Sequence, residues 1–292
     1  MTSIALIGPG AVGGAVAAWL AQNPALSVTV CARTPFQGLA IQTPGGAISA
    51  DPVVLTDPAK ATPVDWVLIA TKTYDTASAE GWLDALVGPE TRLAVLRNGV
   101  EHVEPFLDRL PATRIVPAVV DIPAERRAPG RILQRRDGWI RVPDDAAGRD
   151  FAALFAHTPI AVSTTPDFKT EAWKKLALNC AGAVNALALK PAGIAHDEGA
   201  AQVMRTLVAE CVAVGRAEGA DLPDDLPDAV IAGYRAGAPD GINSLHADRL
   251  AGRPMELDAR NGVIVRRGAI HGIPTPANAM VVALINAAAS AA

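Results

Sequence analysis

The stretch IALIGPGAVG, residues 4–13, decides the fold of the first half of the chain. IALIG is a short apolar run that predicts a β-strand, and it leads directly into a GxGxxG pattern from Gly8 to Gly13. In a strand–turn–helix unit, the first glycine permits a tight turn, the second lets the backbone approach a pyrophosphate, and the third lets the helix pack on the strand. The helix N-terminus then faces the phosphates. The residues predicted to bind a dinucleotide here are Gly8, Pro9, Gly10, Ala11, Val12 and Gly13.

Strand and helix patterns alternate from this stretch to about Thr165. The predicted strands are residues 4–8, 26–31, 66–71, 93–98, 114–120 and 159–166, and the predicted helices are residues 11–22 and 75–87. This alternation predicts an α/β fold with a Rossmann-like, doubly wound and mostly parallel sheet. RILQ (131–134) and WIRV (139–142) predict a hairpin at the sheet edge, since charged residues and Gly138 separate them.

Strand signals stop after the 159–166 segment, and helical patterns broken by proline and glycine continue to the end. We therefore predict two domains: residues 1–165 bind NADP(H), and residues 166–292 form an all-helical substrate and catalytic domain. A chain of 292 residues is long enough for two domains.

Composition excludes several classes of protein. The net charge is −4 and the basic residues are scattered, which argues against a nucleic-acid partner. The three cysteines form no CxxC pair, which favours a reducing cytosol, and we predict no metal site. The most apolar stretches, 176–189 and 277–292, are interrupted by asparagines and too short to span a membrane, and the first strand leaves no room for a signal peptide. We expect a soluble, cytoplasmic protein.

Arg33 indicates which cofactor is used. NAD-preferring sites place an acidic residue about 20 positions after the glycine loop, whereas here residues 28–33 contain no acid and Arg33 stands twenty positions after Gly13. A guanidinium suits a 2′-phosphate, so the sequence favours NADPH. The alternative is a solvent-exposed arginine at a strand end.

Lys72 and Asn98 follow two predicted strands, at the carboxyl edge where ligands bind in such sheets. Either position has an ordinary interpretation as well, Lys72 as a solvated loop lysine and Asn98-Gly99 as a turn.

The segment EAWKKLALNC, residues 171–180, carries the candidate catalytic groups. Helical spacing places Trp173, Leu176, Ala177 and Cys180 on one apolar stripe, and Glu171, Lys175 and Asn179 on another line. Lys175 is a candidate proton donor whose pKa burial would lower, and Asn179 a candidate substrate ligand. The alternative for Lys175 is a surface ion pair with Glu171.

A second cluster lies within SLHADRLAGRPMELDARNG, residues 244–262. The Gly252-Arg253-Pro254 break predicts a new helix with Glu256 in its first turn. An acid at that position can serve the helix alone, and Ser244 can be a surface or capping serine.

Together these segments resemble the ketopantoate reductase family over the whole chain. The resemblance is carried by GPGAVGG, Arg33, ATK (70–72), RNG (97–99), EAWKKLALN (171–179), SLHADRLAGRPMELD (244–258) and NGVIVRRGAIHGIPTP (261–276). It implies that NADPH reduces a small 2-oxo acid, ketopantoate, to (R)-pantoate for coenzyme A synthesis.

The resemblance also implies roles for individual residues. Lys175 would be the general acid at the C2 carbonyl oxygen, and Glu256 would organise the active site near lysine and nicotinamide. Asn98 would touch cofactor and substrate, and Asn179 and Ser244 would bind the substrate. The glycine loop, Arg33 and Lys72 would hold the cofactor. Some family members dimerise, and the sequence leaves a monomer and a homodimer open.

The chain departs from the family at one position. The family commonly has a second asparagine four residues after the first, where this chain has Ala183. Asn185 is six steps, about 240° of helix, from Asn179 and cannot replace it on a regular helix. Two alternatives therefore stay open: a reductase of another 2-oxo acid or imine with the same fold, and a non-catalytic NADP(H) sensor.

Overall fold

A computed structural model describes residues 1–290, which divide into two compact units. Unit 1 consists of residues 1–97 and 101–168. Unit 2 consists of residues 98–100 together with the chain from residue 169 onwards. The short segment 98–100 therefore belongs to the second unit, although unit 1 surrounds it in the sequence.

Unit 1 contains a strand in each segment where the sequence predicts one, and several more. Its strands are β1 (Thr2–Ile7), β2 (Leu26–Cys31), β3 (Leu39–Thr43), β4 (Gly46–Ala50), β5 (Val53–Leu55), β6 (Trp66–Ile69), β7 (Arg92–Val95), β8 (Ile115–Pro117), β9 (Val119–Asp121), β10 (Ala124–Ala128), β11 (Arg131–Gln134), β12 (Trp139–Pro143) and β13 (Ala161–Thr165). Its helices are α1 (Ala11–Leu20), α2 (Ala77–Leu86) and α3 (Ala146–Ala153).

The main sheet has six strands in the order β5-β2-β1-β6-β7-β8, and every pair is parallel. This confirms the predicted Rossmann-like, doubly wound parallel sheet. β1 is central, with β2 on one side and β6 on the other, so the winding direction reverses after β1. The loop that follows β1 thus lies at the switch point where such sheets bind ligands. Apolar side chains cover both faces of the sheet in two buried clusters.

The predicted hairpin of RILQ and WIRV is wrong. RILQ, as β11, pairs with β10 and β3 in a four-stranded sheet, and WIRV, as β12, pairs with β9 and β13 in a three-stranded sheet. The strand β10 was missed because AERRA is charged and largely exposed, without apolar alternation. Because β10 and β3 pair with the two edges of β11, β12 pairs with other strands.

Unit 2 contains the helices α4 (Phe168–Ala181), α5 (Ala183–Ala188), α6 (Glu198–Ala217), α7 (Leu226–Ala236), α8 (Ser244–Leu250), α9 (Val263–His271) and α10 (Pro276–Ser290). A π-helical turn at Asp258–Gly262 leads directly into α9. No strand interrupts the described part of this unit, as the sequence predicts. No helix within residues 1–290 combines the length and the apolar character needed to cross a membrane.

The apolar stripe predicted on α4 is confirmed. Trp173, Leu176, Ala177 and Cys180 are all at most 2% exposed and join the core of unit 2. The apolar residues of α4 are not all buried, since Leu178 is 37% exposed. One side of α4 is therefore exposed to solvent.

Candidate functional site

The glycine loop after β1 has the geometry that the spacing predicts. Gly8 has φ +89°, and a Cβ there would lie 2.6 Å from the backbone nitrogen of Thr71. A Cβ at Gly13 would lie 2.4 Å from the carbonyl oxygen of Gly8 and 2.8 Å from Ala70 Cβ. Only glycine tolerates both positions, so the turn and the contact between α1 and the sheet both require these residues.

Gly10 is different, because among the described residues the atom nearest to a Cβ there would be the Gly8 carbonyl oxygen, at 4.0 Å. Gly10 is the N-cap of α1, and no side chain in the described part of the chain caps the helix. The first backbone N–H groups of a helix lack intrahelical acceptors, so those of Ala11 and Val12 can bind an anion. The loop thus forms an open cradle of donors, which fits the pyrophosphate of a dinucleotide.

Arg33 and Lys72 lie on two other loops of unit 1. The Arg33 side chain is 81% exposed, and its Nη2 lies 3.5 Å from Asp75 Oδ2. A guanidinium this exposed is accessible to a phosphate. Lys72 is half-buried and precedes a short 3₁₀ turn at Thr73–Asp75, three residues beyond the end of β6.

Arg97 supports the glycine loop, a role that the sequence did not indicate. It is 7% exposed and donates from Nη1 to Thr76 Oγ1 at 2.9 Å and from Nη2 to Thr71 Oγ1. Its guanidinium also lies 5.4 Å from the ring centroid of Phe106. Because Thr71 abuts Gly8, this buried cation holds the wall of the glycine loop in place.

Three predicted residues meet in unit 2, in a line of hydrogen bonds. Asn179 Nδ2 donates to Asn98 Oδ1 at 3.4 Å, and Asn98 Nδ2 donates to Glu256 Oε2 at 3.2 Å. These two bonds fix which end of the Asn98 amide faces each partner. A Cβ at Gly99 would lie 2.9 Å from the Ala259 carbonyl oxygen, and Gly99 has φ +100°. The glycine therefore lets the Asn98 segment lie directly against the π turn.

Lys175 lies on the same face of α4 as Asn179, one turn earlier, and is half-buried. The Glu171 carboxylate lies 3.6 Å from the ammonium of Lys174, a more exposed neighbour of Lys175. Lys175 thus lies one helical turn from Asn179, the first residue of the Asn179–Asn98–Glu256 line.

Glu256 is not in the first turn of a helix, so that prediction is wrong. Residues 253–257 are irregular, and the π turn begins only at Asp258. Arg253 bonds back to Asp248, from its backbone nitrogen at 2.8 Å and from Nε at 2.9 Å, which keeps Pro254 from starting a helix. The Glu256 side chain is 5% exposed and accepts from Asn98 instead of capping a helix.

Ser244 is exposed, and its hydroxyl is held by a residue that the sequence analysis missed. Arg260, in the π turn, is 3% exposed and donates from Nη2 to Ser244 Oγ at 2.6 Å. Asn243, not Ser244, is the N-cap of α8. Arginine is almost never fully buried without partners, and no local pattern in DARNG indicated this burial.

Asn185 does not replace the family's second asparagine. It is 1% exposed and donates to the carbonyl oxygens of Lys190 at 3.1 Å and Pro191 at 2.9 Å, where it closes the end of α5. Ala183 is fully buried. The Tyr234 hydroxyl reaches this region, since it donates to the Leu178 carbonyl oxygen at 3.2 Å. Burial raises the pKa of Tyr234 to about 12, so it stays a neutral donor.

Buried amides support the π turn from behind. Asn261 Nδ2 donates to the Cys180 carbonyl oxygen at 3.1 Å and to Asn278 Oδ1 at 2.9 Å. Asn278 Nδ2 donates in turn to the Leu207 carbonyl oxygen at 3.1 Å and to Glu210 Oε2 at 2.7 Å. This network ties α4, α6, the π turn and α10 together, so the residues on the π turn are held rigidly.

The fold and the site define a class of protein. A Rossmann-like sheet with an open glycine cradle, and a helical unit with a lysine beside an amide–carboxylate line, are features of a nucleotide-dependent oxidoreductase.

Comparison with known proteins identifies the family. The model for ketopantoate reductase PanE/ApbA matches residues 4–146, and the model for the C-terminal part of the same family matches residues 167–289. The chain belongs to the ketopantoate reductase family.

Individual relatives agree with this. The chain is 76% identical to the 2-dehydropantoate 2-reductase of Caulobacter vibrioides, over 99% of this chain and 100% of that protein. A ketopantoate reductase structure from Ralstonia eutropha JMP134 superposes with a TM-score of 0.90 at 33% identity, covering 99% of this chain and 98% of that one. The dimeric ketopantoate reductase from Staphylococcus aureus superposes with a TM-score of 0.86 at 26% identity, covering 98% of both chains.

Proposed function

We propose that this protein is an NADPH-dependent 2-dehydropantoate 2-reductase, which reduces the C2 carbonyl of ketopantoate to the hydroxyl of (R)-pantoate. The observation that carries the proposal is the Asn179–Asn98–Glu256 line beside Lys175, in a chain 76% identical to a 2-dehydropantoate 2-reductase. When bound, NADPH supplies the hydride. The product serves pantothenate and coenzyme A synthesis in the cytoplasm.

Lys175 is the proposed general acid. The alkoxide that forms at C2 needs a proton, and a lysine ammonium held by a half-buried helix face can deliver it. Asn179, one turn along, binds the same substrate from the same face. The Asn98 amide is already oriented by its two partners, so it meets the ligand without reorganising.

The cofactor assignment rests on the residues of unit 1. The open position at Gly10 and the uncapped start of α1 fit a pyrophosphate, and the exposed guanidinium of Arg33 fits a 2′-phosphate. Lys72 adds positive charge on a neighbouring loop. The Asp75 carboxylate, 3.5 Å from the guanidinium, is the partner that a 2′-phosphate would replace or share.

A second candidate substrate follows from the segment around Ala183. Where the family commonly has a second asparagine, this chain has a buried alanine, and Asn185 is committed to backbone carbonyls. The described residues therefore offer no asparagine side chain in place of the family's second one. Another 2-oxo acid, or an imine, is the alternative that this difference favours.

The test is the steady-state oxidation of NADPH by the purified protein, with ketopantoate and with a panel of other 2-oxo acids. We expect ketopantoate to give the highest kcat/KM, and NADH to be a poor substitute. Cofactor binding without turnover of any acid would refute the enzymatic proposal. A higher kcat/KM for another acid would keep the chemistry and refute the substrate.

Lys175→Ala tests the mechanism separately. Loss of a general acid lowers turnover by about 10²-fold or more, while the Kd for NADPH changes little. Lys174→Ala is the matched control, because Lys174 is adjacent, exposed and paired with Glu171. Near-normal turnover of Lys175→Ala would remove this lysine from the mechanism.

A homodimer is part of the proposal, since the related enzyme from Staphylococcus aureus is dimeric. Light scattering after size-exclusion chromatography measures the mass in solution. A mass near the 30.1 kDa of one chain at assay concentration would refute the dimer.

A further inference from the structure

We propose that Arg260 is a positioning residue that prepares Ser244 to bind the carboxylate of the substrate, an inference that rests on the proposed reduction of a 2-oxo acid. Arg260 stands in the π turn, four residues after Glu256, and is 3% exposed. Its Nη2 lies 2.6 Å from Ser244 Oγ. Ser244 itself is exposed, so a ligand can reach the hydroxyl while the guanidinium stays behind it.

The chemistry of the two groups fixes the direction of the hydrogen bonds. A guanidinium has only donors, so Ser244 Oγ must accept from Arg260. The serine O–H is then available to donate outwards. A carboxylate is a pure acceptor with negative charge, and it suits a hydroxyl that a buried cation polarises.

The second argument is the charge of Glu256. Glu256 is 5% exposed, and a buried carboxylate beside the binding site of a 2-oxo acid repels the substrate's own carboxylate. Burial lowers the pKa of Arg260, and Glu256 is the neighbour that raises it most, so the two groups lie close enough to interact. The buried guanidinium keeps its charge, since arginine does not lose its proton in proteins. Arg260 therefore offsets the field of Glu256 at Ser244.

The guanidinium of Arg260 is only partly satisfied by the described residues. Its Nε is buried and has no hydrogen-bond partner there. Glu256, Tyr234 and Asp248 lie near the guanidinium and raise its pKa, but its buried Nε still lacks an acceptor among the described residues, which is costly. An apolar side chain would meet a purely structural need at this position without that cost.

The experiment compares four proteins: wild type, Ser244→Ala, Arg260→Met and the double variant. KM and kcat are measured for ketopantoate and for NADPH, with the unfolding midpoint for each protein. We expect each single variant to raise the KM for ketopantoate about tenfold and to leave the KM for NADPH unchanged. The double variant should be no worse than either single variant, because the arginine acts through the serine.

If the effects of the two substitutions multiply, so that the double variant raises the KM for ketopantoate about 100-fold, the proposal is overturned. A parallel rise of both KM values with a lower unfolding midpoint would also overturn it, since that result describes a structural residue. Arg260→Lys keeps the charge and a donor, so we expect it to recover part of the KM for ketopantoate. If Arg260→Met does not fold, Arg260→Lys takes its place, alone and combined with Ser244→Ala. The same comparison of single and double variants in the KM for ketopantoate then measures the coupling between the two residues.

Failure of the proposed function is seen separately, in the wild-type protein. If wild type reduces a different 2-oxo acid, the same four proteins are compared with that acid, and only the substrate assignment has failed. If wild type binds no 2-oxo acid at all, both proposals are refuted.

Discussion

Gly10→Ala separates cofactor binding from folding more cleanly than any other change in the glycine loop. A Cβ at this position would lie 4.0 Å from the nearest atom of residues 1–290, and Gly10 has φ −75°, a value that alanine adopts without strain. We therefore expect the unfolding free energy of the free protein to change by less than about 1 kcal/mol. At Gly13, by contrast, a Cβ would lie 2.4 Å from the Gly8 carbonyl oxygen.

The effect on NADPH follows from the same geometry. A hydrogen bond from a backbone N–H to a phosphate needs about 2.9 Å between N and O, whereas a methyl group keeps its neighbours at about 3.5–4.0 Å. The new methyl group would push the pyrophosphate away from at least one donor at the start of α1. A hydrogen bond to a charged group contributes about 1.5–3 kcal/mol, so the Kd for NADPH should rise about 10- to 100-fold.

The assay is the fluorescence titration of each protein with NADPH, together with thermal unfolding without cofactor. Gly233→Ala is the matched control, since Gly233 is an exposed residue of α7 and a Cβ there would have no atom of the described residues within 4 Å. It should bind NADPH normally. Gly13→Ala should lower the unfolding midpoint. Normal NADPH affinity of Gly10→Ala would refute the cradle.

Three further changes test other parts of the site. Arg33→Ala should weaken NADPH binding by about tenfold or more and leave NADH binding nearly unchanged, as measured by the same titration. Equal losses of affinity for NADPH and NADH would refute the role of Arg33 in binding the 2′-phosphate. Asn98→Asp places a carboxylate oxygen opposite Glu256 Oε2 where Nδ2 now donates, so kcat/KM should fall further than in Asn98→Ala; the opposite order would contradict the orientation of the amide. Burial, with Arg249 nearby, lowers the pKa of His246. As the pH falls through about 6.5, the unfolded chain therefore binds a proton that the folded chain does not, and the free energy of unfolding decreases. Denaturant unfolding from pH 7.5 to 5 should show a smaller decrease of this free energy in His246→Leu than in the exposed control His157→Leu, and equal decreases in the two variants would exclude His246 as the cause.

The sequence predicted the parallel sheet well, because β1 and β6 are apolar runs next to clear turn signals. The two smaller sheets were not predicted, since β10 is charged and exposed and has no alternation to recognise. The pairing of β11 with β3 joins residues about 90 positions apart, such as Ile41 and Ile132. Such a pairing depends on tertiary structure, which local spacing does not encode.

The positions of the candidate site residues divide in the same way. Lys175 and Asn179 were placed correctly on one helix face, because helical periodicity alone decides that. Glu256 was placed wrongly, since the start of the next helix depends on the bonds between Arg253 and Asp248. Arg260 was missed because a π turn, set by the buried amide of Asn261, brings it to Ser244.

The assignment of residues 98–100 to unit 2 has a consequence for the order in which the protein is made. Asn98 leaves the ribosome early, yet its partner Glu256 follows 158 residues later. At about 5–20 residues per second, this segment waits about 8 to 30 s for the partner that completes its hydrogen bonds. Unit 1 can therefore fold before residues 98–100, which lie within its stretch of sequence, have found their partners in unit 2. The candidate catalytic site is then among the last parts of the molecule to form.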